Sequence, residues 1–191
     1  MKLCFATNNQ HKIREVKSLI PSSVELLSLE DIHCDVELPE TGFTLEDNSF
    51  EKADYVLKHF KIDCFADDTG LEVDILDGEP GVFSARYAGF PPDSTKNIEK
   101  LLNNLSGKED RKARFRTIIT LLLNSKKYLF EGVMEGAIIN SPKGDNGFGY
   151  DPIFIPKGHT ATFAEMSSEM KNSISHRAIA VQKLTDFLSN Y

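Results

Sequence analysis

The chain predicts an α/β fold, and three observations carry that prediction. It opens with a short apolar run, KLCFA, that passes through polar turn residues straight into a helical pattern. Further stretches with apolar residues at helical spacing follow at 45–60, 94–105 and 175–189. Between them lie two long runs, 113–123 and 127–139, that read as strands. A length of 191 residues suits one large domain or two closely joined lobes with a real core.

In order, residues 2–6 form a buried strand, and Thr7, Asn8 and Asn9 supply turn and helix-capping groups. A helix over 10–20 follows, with Ile13, Val16, Leu19 and Ile20 on one face, stopped by Pro21. Residues 24–27 make a second strand. Thr44 caps a helix over 45–60 that turns Leu45, Ala53, Val56, Leu57 and Phe60 inward. A short strand at 63–66 runs into Asp67-Asp68-Thr69-Gly70, and 71–76 alternate as a further strand. Residues 77–93, with their glycines and prolines, are irregular. A helix covers 94–105. In 113–123, Ala113, Phe115, Thr117, Ile119 and Leu121 alternate with Arg114, Arg116 and other positions, and a turn at 124–126 joins this strand to 127–139 as a hairpin. A glycine-rich loop, 144–149, leads to a strand at 152–155. The last helix turns Ile174, Ala178, Val181, Leu184 and Leu188 inward. No low-complexity linker divides the chain, so 1–191 is treated as one domain whose lobes are not separable by sequence.

Composition narrows the function. No run of 18 apolar residues is present and the N-terminus lacks signal-peptide features, so the expectation is a cytoplasmic protein without a membrane partner. The net charge of −7 and the lack of a basic stripe argue against nucleic acid as a partner, though an acidic protein can still hold a locally basic cleft. Cys4, Cys34 and Cys64 are odd in number and form no CxxC pair, which disfavours a disulfide framework or a zinc site. Cys4 and Cys64 fall in strand-like runs and read as small buried hydrophobes.

Five clusters place polar groups at strand ends or helix starts. Thr7, Asn8, Asn9, Gln10, His11 and Lys12 combine a helix N-terminus with a lysine, which suits an anion; alone they also read as a cap and a surface cation. Glu40-Thr41-Gly42 precedes Glu46, Asn48, Glu51 and Lys52; Glu40 could ligate a metal, while Asn48 and Lys52 also fit an exposed helix face. Asp67 and Asp68 are costly to ionise side by side unless a cation offsets the repulsion, so magnesium and an acidic turn both remain open. Phe148, Gly149, Tyr150 and Asp151 set an aromatic beside glycine and a carboxylate, as base stacking needs, or form a plain hairpin loop. Lys171, Asn172, Ser175, His176 and Arg177 bring cations and donors to a helix start, which suits an anion or carbonyl and also reads as a helix cap with surface cations. No nucleophilic serine or cysteine motif accompanies His176.

The blocks TNNQHKIREV, ETGFTLEDNSFEKA, FADDTGLEVDILDGEPGVFSARYAG, ARFRT, GFGYDPIFIP, TFAEMS and KNSISHRA, in this order, resemble the inosine triphosphate pyrophosphatases, also called XTP/dITP diphosphatases. The resemblance implies an elongated α/β protein with a long mixed central sheet flanked by helices, two lobes and an active-site cleft, usually a homodimer. It implies hydrolysis of ITP, dITP and XTP to the monophosphate and pyrophosphate, with Mg²⁺ held at Glu40 and Asp68. It casts Asp68 as proton acceptor with Asp67 in support, Lys12 and Lys52 at the triphosphate, and Thr7 to Lys12 and Thr69 on the nucleotide. It places Phe148 to Asp151, Lys171, His176 and Arg177 around the purine. A pyrophosphatase for other modified nucleotides and a non-catalytic nucleotide sensor are the rival readings.

Overall fold

The computed structural model describes residues 1–191. Its elements are β1 (Lys2–Phe5), α1 (Gln10–Lys17), β2 (Glu25–Leu27), α2 (Leu45–Phe60), β3 (Cys64–Val73), β4 (Pro80–Gly81), α3 (Ser94–Asn104), β5 (Lys112–Leu123), β6 (Lys126–Ile138), β7 (Phe154–Pro156), α4 (Ser168–Ile174) and α5 (His176–Ser189). The strands form a seven-stranded sheet in the order β2-β1-β3-β5-β6-β7, with β4 paired to β3. β1 runs parallel to β2 and β3, whereas β3–β4 and β6–β7 are antiparallel, so the sheet is mixed. The expected α/β class holds. No helix is long and apolar enough to cross a membrane.

The chain resolves into two units, one made of 1–68, 117–132 and 177–191, the other of 69–116 and 133–176. In the first, strand alternation sorts the side chains onto two faces. Leu3, Phe5, Phe65, Ile119, Leu121 and Leu123 pack with Ile13 and Val16 of α1 and Ala180, Val181 and Leu184 of α5. Phe5 and Phe65, partners in register, stack with centroids 4.7 Å apart. The intervening residues Cys4, Ala6, Cys64, Ala66 and Leu122 face Ala53 and Val56 of α2 and the segment carrying Leu29, Ile32, Cys34 and Leu38. Strands covered on both faces explain why LCFA and CFA read as unbroken apolar runs.

The second unit has one core. Leu71 and Val73 of β3, Ile98 and Leu101 of α3, and Ala113 and Phe115 of β5 meet Tyr150, Ile153, Phe154 and Phe163 there. Phe115, Phe154 and Phe163 form a ring cluster with centroids 4.7 to 6.0 Å apart. The β5–β6 connection is Asn124–Ser125, both with positive φ, as a tight hairpin demands.

The structure corrects several sequence expectations. Residues 64–73 are one continuous strand, not two strands separated by an acidic turn. The turn comes later, as a 3-10 turn over Asp74–Leu76. The first helix ends at Lys17, capped by Ser18, before Pro21 can act. Asp151–Ile153 form a 3-10 turn, so β7 begins at Phe154 rather than at 152. The segment 163–174, given no element from the sequence, holds a 3-10 turn with a Thr162–Glu165 capping box and then α4, which carries the Ile174 expected on the last helix. Of α4's side chains only Lys171 is buried, so the helix offers no apolar stripe to detect.

All three cysteines are buried. Burial pushes the Cys4 thiol up to about 12, with Cys34 and Asp31 adding to the effect, and burial raises Cys64 as well. The thiolate is the reactive species, so these thiols should resist labelling. A disulfide reagent at pH 8 should modify none of the three in the folded protein and all three after denaturation. Rapid labelling of a native thiol would contradict this packing.

Candidate active site

The two adjacent carboxylates in β3 are separated by the pleat. Phe65 lies on the α1/α5 side, so Asp67, two residues on, faces the same way; Ala66 and Asp68 face α2. Each carboxylate therefore meets its own helices, and the two share no face.

Asp67 is 1% exposed. Its Oδ1 accepts from Lys12 Nζ at 3.0 Å and its Oδ2 from Arg177 Nε at 3.0 Å. Arg177, at the start of α5, also donates through Nη1 to Glu15 of α1. Burial alone would raise the Asp67 carboxyl; Lys12 and then Arg177 outweigh it and hold the group well below the usual carboxylate range. Burial lowers Lys12, and repulsion from Lys52 and Arg177 adds to that, against the attraction of Asp67. Burial also works against the Arg177 cation, but Asp67 and Glu15 reverse the balance and raise it.

On the other face, Asp68 Oδ2 accepts from Asn48 Nδ2 at 3.1 Å, and Oδ1 lies 3.8 Å from Lys52 Nζ. Lys52 also donates to Glu40 Oε1. Burial raises Asp68, with Glu40 adding to the rise, while Lys52 and Lys12 oppose it. Burial lowers Lys52, but Asp68 and Glu40 overcome this and raise it. Asn48 and Lys52 are 1% and 5% exposed, so the alternative of an exposed helix face does not hold.

Lys12 is placed by the cap of α1. Asn9 Oδ1 accepts from the amides of His11 and Lys12 at 2.9 and 3.2 Å, and Thr7 Oγ1 accepts from the Asn9 amide at 3.2 Å. Two amides that could have received an anion are thus used by the cap. Asn8, Gln10 and His11 are exposed, and Arg14 lies 3.0 Å from His11 Nδ1.

The second unit holds another cluster. Asp151 Oδ2 accepts from the Phe148 amide at 2.8 Å and from Lys171 Nζ at 2.7 Å. The same ammonium lies 4.9 Å from the Phe148 ring centroid, a cation–π distance. Gly147 has φ +74°, and a Cβ there would sit 2.1 Å from Asp151 Oδ2, so this turn accepts only glycine. Phe148 and Gly149 are half-buried. Tyr150 points into the core, donating to Ser84 O at 3.0 Å, and burial raises its phenol. His176 is buried and stacks on Phe115 at 4.6 Å. Thr69 follows Asp68 on β3 and is half-buried.

The structure thus gathers Lys12, Asp67 and Arg177 on one side of β3, Glu40, Lys52 and Asp68 on the other, and Phe148, Asp151 and Lys171 in the second unit. Sequence reading missed Glu15, the second partner of Arg177, and the role of Asn48. A carboxylate one helical turn from Lys12 was the available signal for Glu15.

Such a fold and site define a mixed α/β protein with buried carboxylate–cation pairs on both faces of one strand. The chain belongs to the Ham1 family, whose sequence model matches residues 3–187. It is 54% identical over 189 residues to the dITP/XTP pyrophosphatase of Christiangramia forsetii, covering 99% of this chain and all of that one. It also matches the Staphylococcus aureus Ham1 protein with TM-score 0.90 at 39% identity, covering 100% of this chain and 99% of that one. A Coxiella burnetii Ham1 protein matches over 100% of both chains with TM-score 0.92 at 34% identity.

The buried network around Asp67 should be essential for stability. Asp67→Asn leaves two buried cations short of a counter-charge and should cost about 3–5 kcal/mol in urea unfolding. Asp67 is depressed in the folded state, so its contribution is present above about pH 4 and is lost as pH falls toward the folded value. The variant should therefore lose less stability than the wild type below pH ~4. A loss below about 1 kcal/mol would contradict the assignment.

Proposed function

We propose that this chain hydrolyses deaminated purine nucleoside triphosphates, ITP, dITP and XTP, to the monophosphate and pyrophosphate, and so removes them from the nucleotide pool. The observation that carries the reading is the pair of ammonium groups, Lys12 and Lys52, set against Asp67 and Asp68 on opposite faces of one strand. The dITP/XTP pyrophosphatase named above, alike over its whole length, supports the same chemistry.

A triphosphate requires cations, and Lys12 and Lys52 supply two. Glu40 and Asp68 already converge on a single cation, the Lys52 ammonium, and hard carboxylate oxygens of this kind suit magnesium, which binds through one or two carboxylates plus phosphate. Magnesium bound there would neutralise charge developing on the phosphate oxygens. Asp68 takes the proton from the attacking water. Asp67 stays ionised and holds Lys12 and Arg177 in place. Attack at the α-phosphorus then releases pyrophosphate.

Recognition of the base is assigned to the Phe148–Asp151 loop with Lys171, His176 and Arg177. The Phe148 backbone is held through its own amide and Lys171 lies against the ring, so the ring offers a stacking surface at reduced entropic cost. Donors matched to a C6 oxygen are left unsatisfied by the amino group of adenine, at about 1–3 kcal/mol each.

Pyrophosphate release from ITP, XTP, GTP and ATP, measured with magnesium and with EDTA, tests the proposal. Release should be metal-dependent and should favour ITP and XTP, and Asp68→Asn should lose at least about 10²-fold in kcat while remaining folded. Equal turnover of ATP and ITP, or near-normal turnover by Asp68→Asn, would contradict it.

A further inference from the structure

We propose that Asn48 is a positioning residue that aims Asp68 and ties it to the loop bearing Glu40; this rests on the hydrolase reading above. Asn48 lies one turn before Lys52 on α2 and is 1% exposed. Its Oδ1 accepts from the Gly42 amide at 2.8 Å. A backbone N–H can only donate, so this contact settles which end of the carboxamide is which. Nδ2 must then face Asp68, and it donates to Oδ2 at 3.1 Å.

Two consequences follow. With Oδ2 held by Asn48, Oδ1 is the oxygen on the Lys52 side, 3.8 Å from the ammonium that also meets Glu40. Glu40 lies two residues before Gly42, so the same carboxamide sets where the Glu40 loop rests on α2. Glu51, one turn further along, latches the loop again: its Oε2 accepts from the Thr41 amide at 2.8 Å and its Oε1 from Thr41 Oγ1 at 2.9 Å. The approach is close enough that a Cβ at Gly42 would stand 2.4 Å from Asp47 Cβ and 3.0 Å from Asn48 Oδ1. A buried carboxamide is a costly way to fill a helix face, and both ends of this one are committed to the two elements that carry Glu40 and Asp68.

The test compares wild type, Asn48→Ala and Asn48→Asp. Alanine removes both bonds; aspartate keeps the acceptor for Gly42 and sets a carboxylate against Asp68. Three quantities are read: kcat and KM for pyrophosphate release from ITP, the dissociation constant of Mn²⁺ alone by electron paramagnetic resonance, and the melting temperature. Groups that orient metal-holding carboxylates typically matter about 10–100-fold. Both variants should lose kcat by about that factor with KM within about threefold, and Asn48→Ala should weaken Mn²⁺ binding by about tenfold or more. Lower melting temperature with unchanged kcat and Mn²⁺ affinity in the folded fraction would reduce Asn48 to packing and overturn the proposal. If Asn48→Ala does not fold, Asn48→Asp decides by the kcat readout. Should the wild type release no pyrophosphate from ITP, the hydrolase reading fails, and the Mn²⁺ measurement still decides whether Asn48 aligns the carboxylates.

Discussion

The pleat of one strand organises everything else in this site. Asp67 and Asp68 are consecutive residues, and on a turn they would repel at close range. On β3 they emerge from opposite faces, so one is received by α1 and the start of α5 and the other by α2. A slip of one residue would bring Asp67 to α2 and bury Phe65 among the wrong partners, which the stacked Phe5–Phe65 pair and the two sorted cores oppose. The hydrophobic pattern of CFA therefore fixes the register that sends Asp67 and Asp68 to different helices.

The two faces differ in electrostatic character. Lys12 has one carboxylate directly before it and two other cations nearby, and burial lowers it. Lys52 has two carboxylates, Asp68 and Glu40, and they raise it. The Asp67 side sets two cations, Lys12 and Arg177, against two carboxylates, Asp67 and Glu15. On the Asp68 side two carboxylates share one ammonium, which makes it the side suited to taking up a further cation.

Much of this was legible from residue patterns. Apolar spacing located β1, α2, α3, β5, β6 and α5 to within a few residues, and Thr44 and Asn9 announced the caps they form. The strand through Asp67 to Gly70 was not legible, because carboxylates and glycine are poor strand formers and only burial among cations makes them acceptable there. Asn48 and Lys52 looked like a polar helix face because helical periodicity reports apolarity, and their partners, Asp68 and Glu40, are distant in sequence. The Tyr150 phenol reads as a loop contact in sequence, yet it donates to a buried carbonyl at Ser84, a non-local bond that no local pattern encodes.

In the proposed reaction, water attacks the α-phosphorus under the influence of Asp68. The most direct measurement is a single turnover of ITP in ¹⁸O-labelled water, followed by mass analysis of the products. The label is expected in inosine monophosphate and not in pyrophosphate. Label in pyrophosphate, or formation of inosine diphosphate and phosphate, would contradict it.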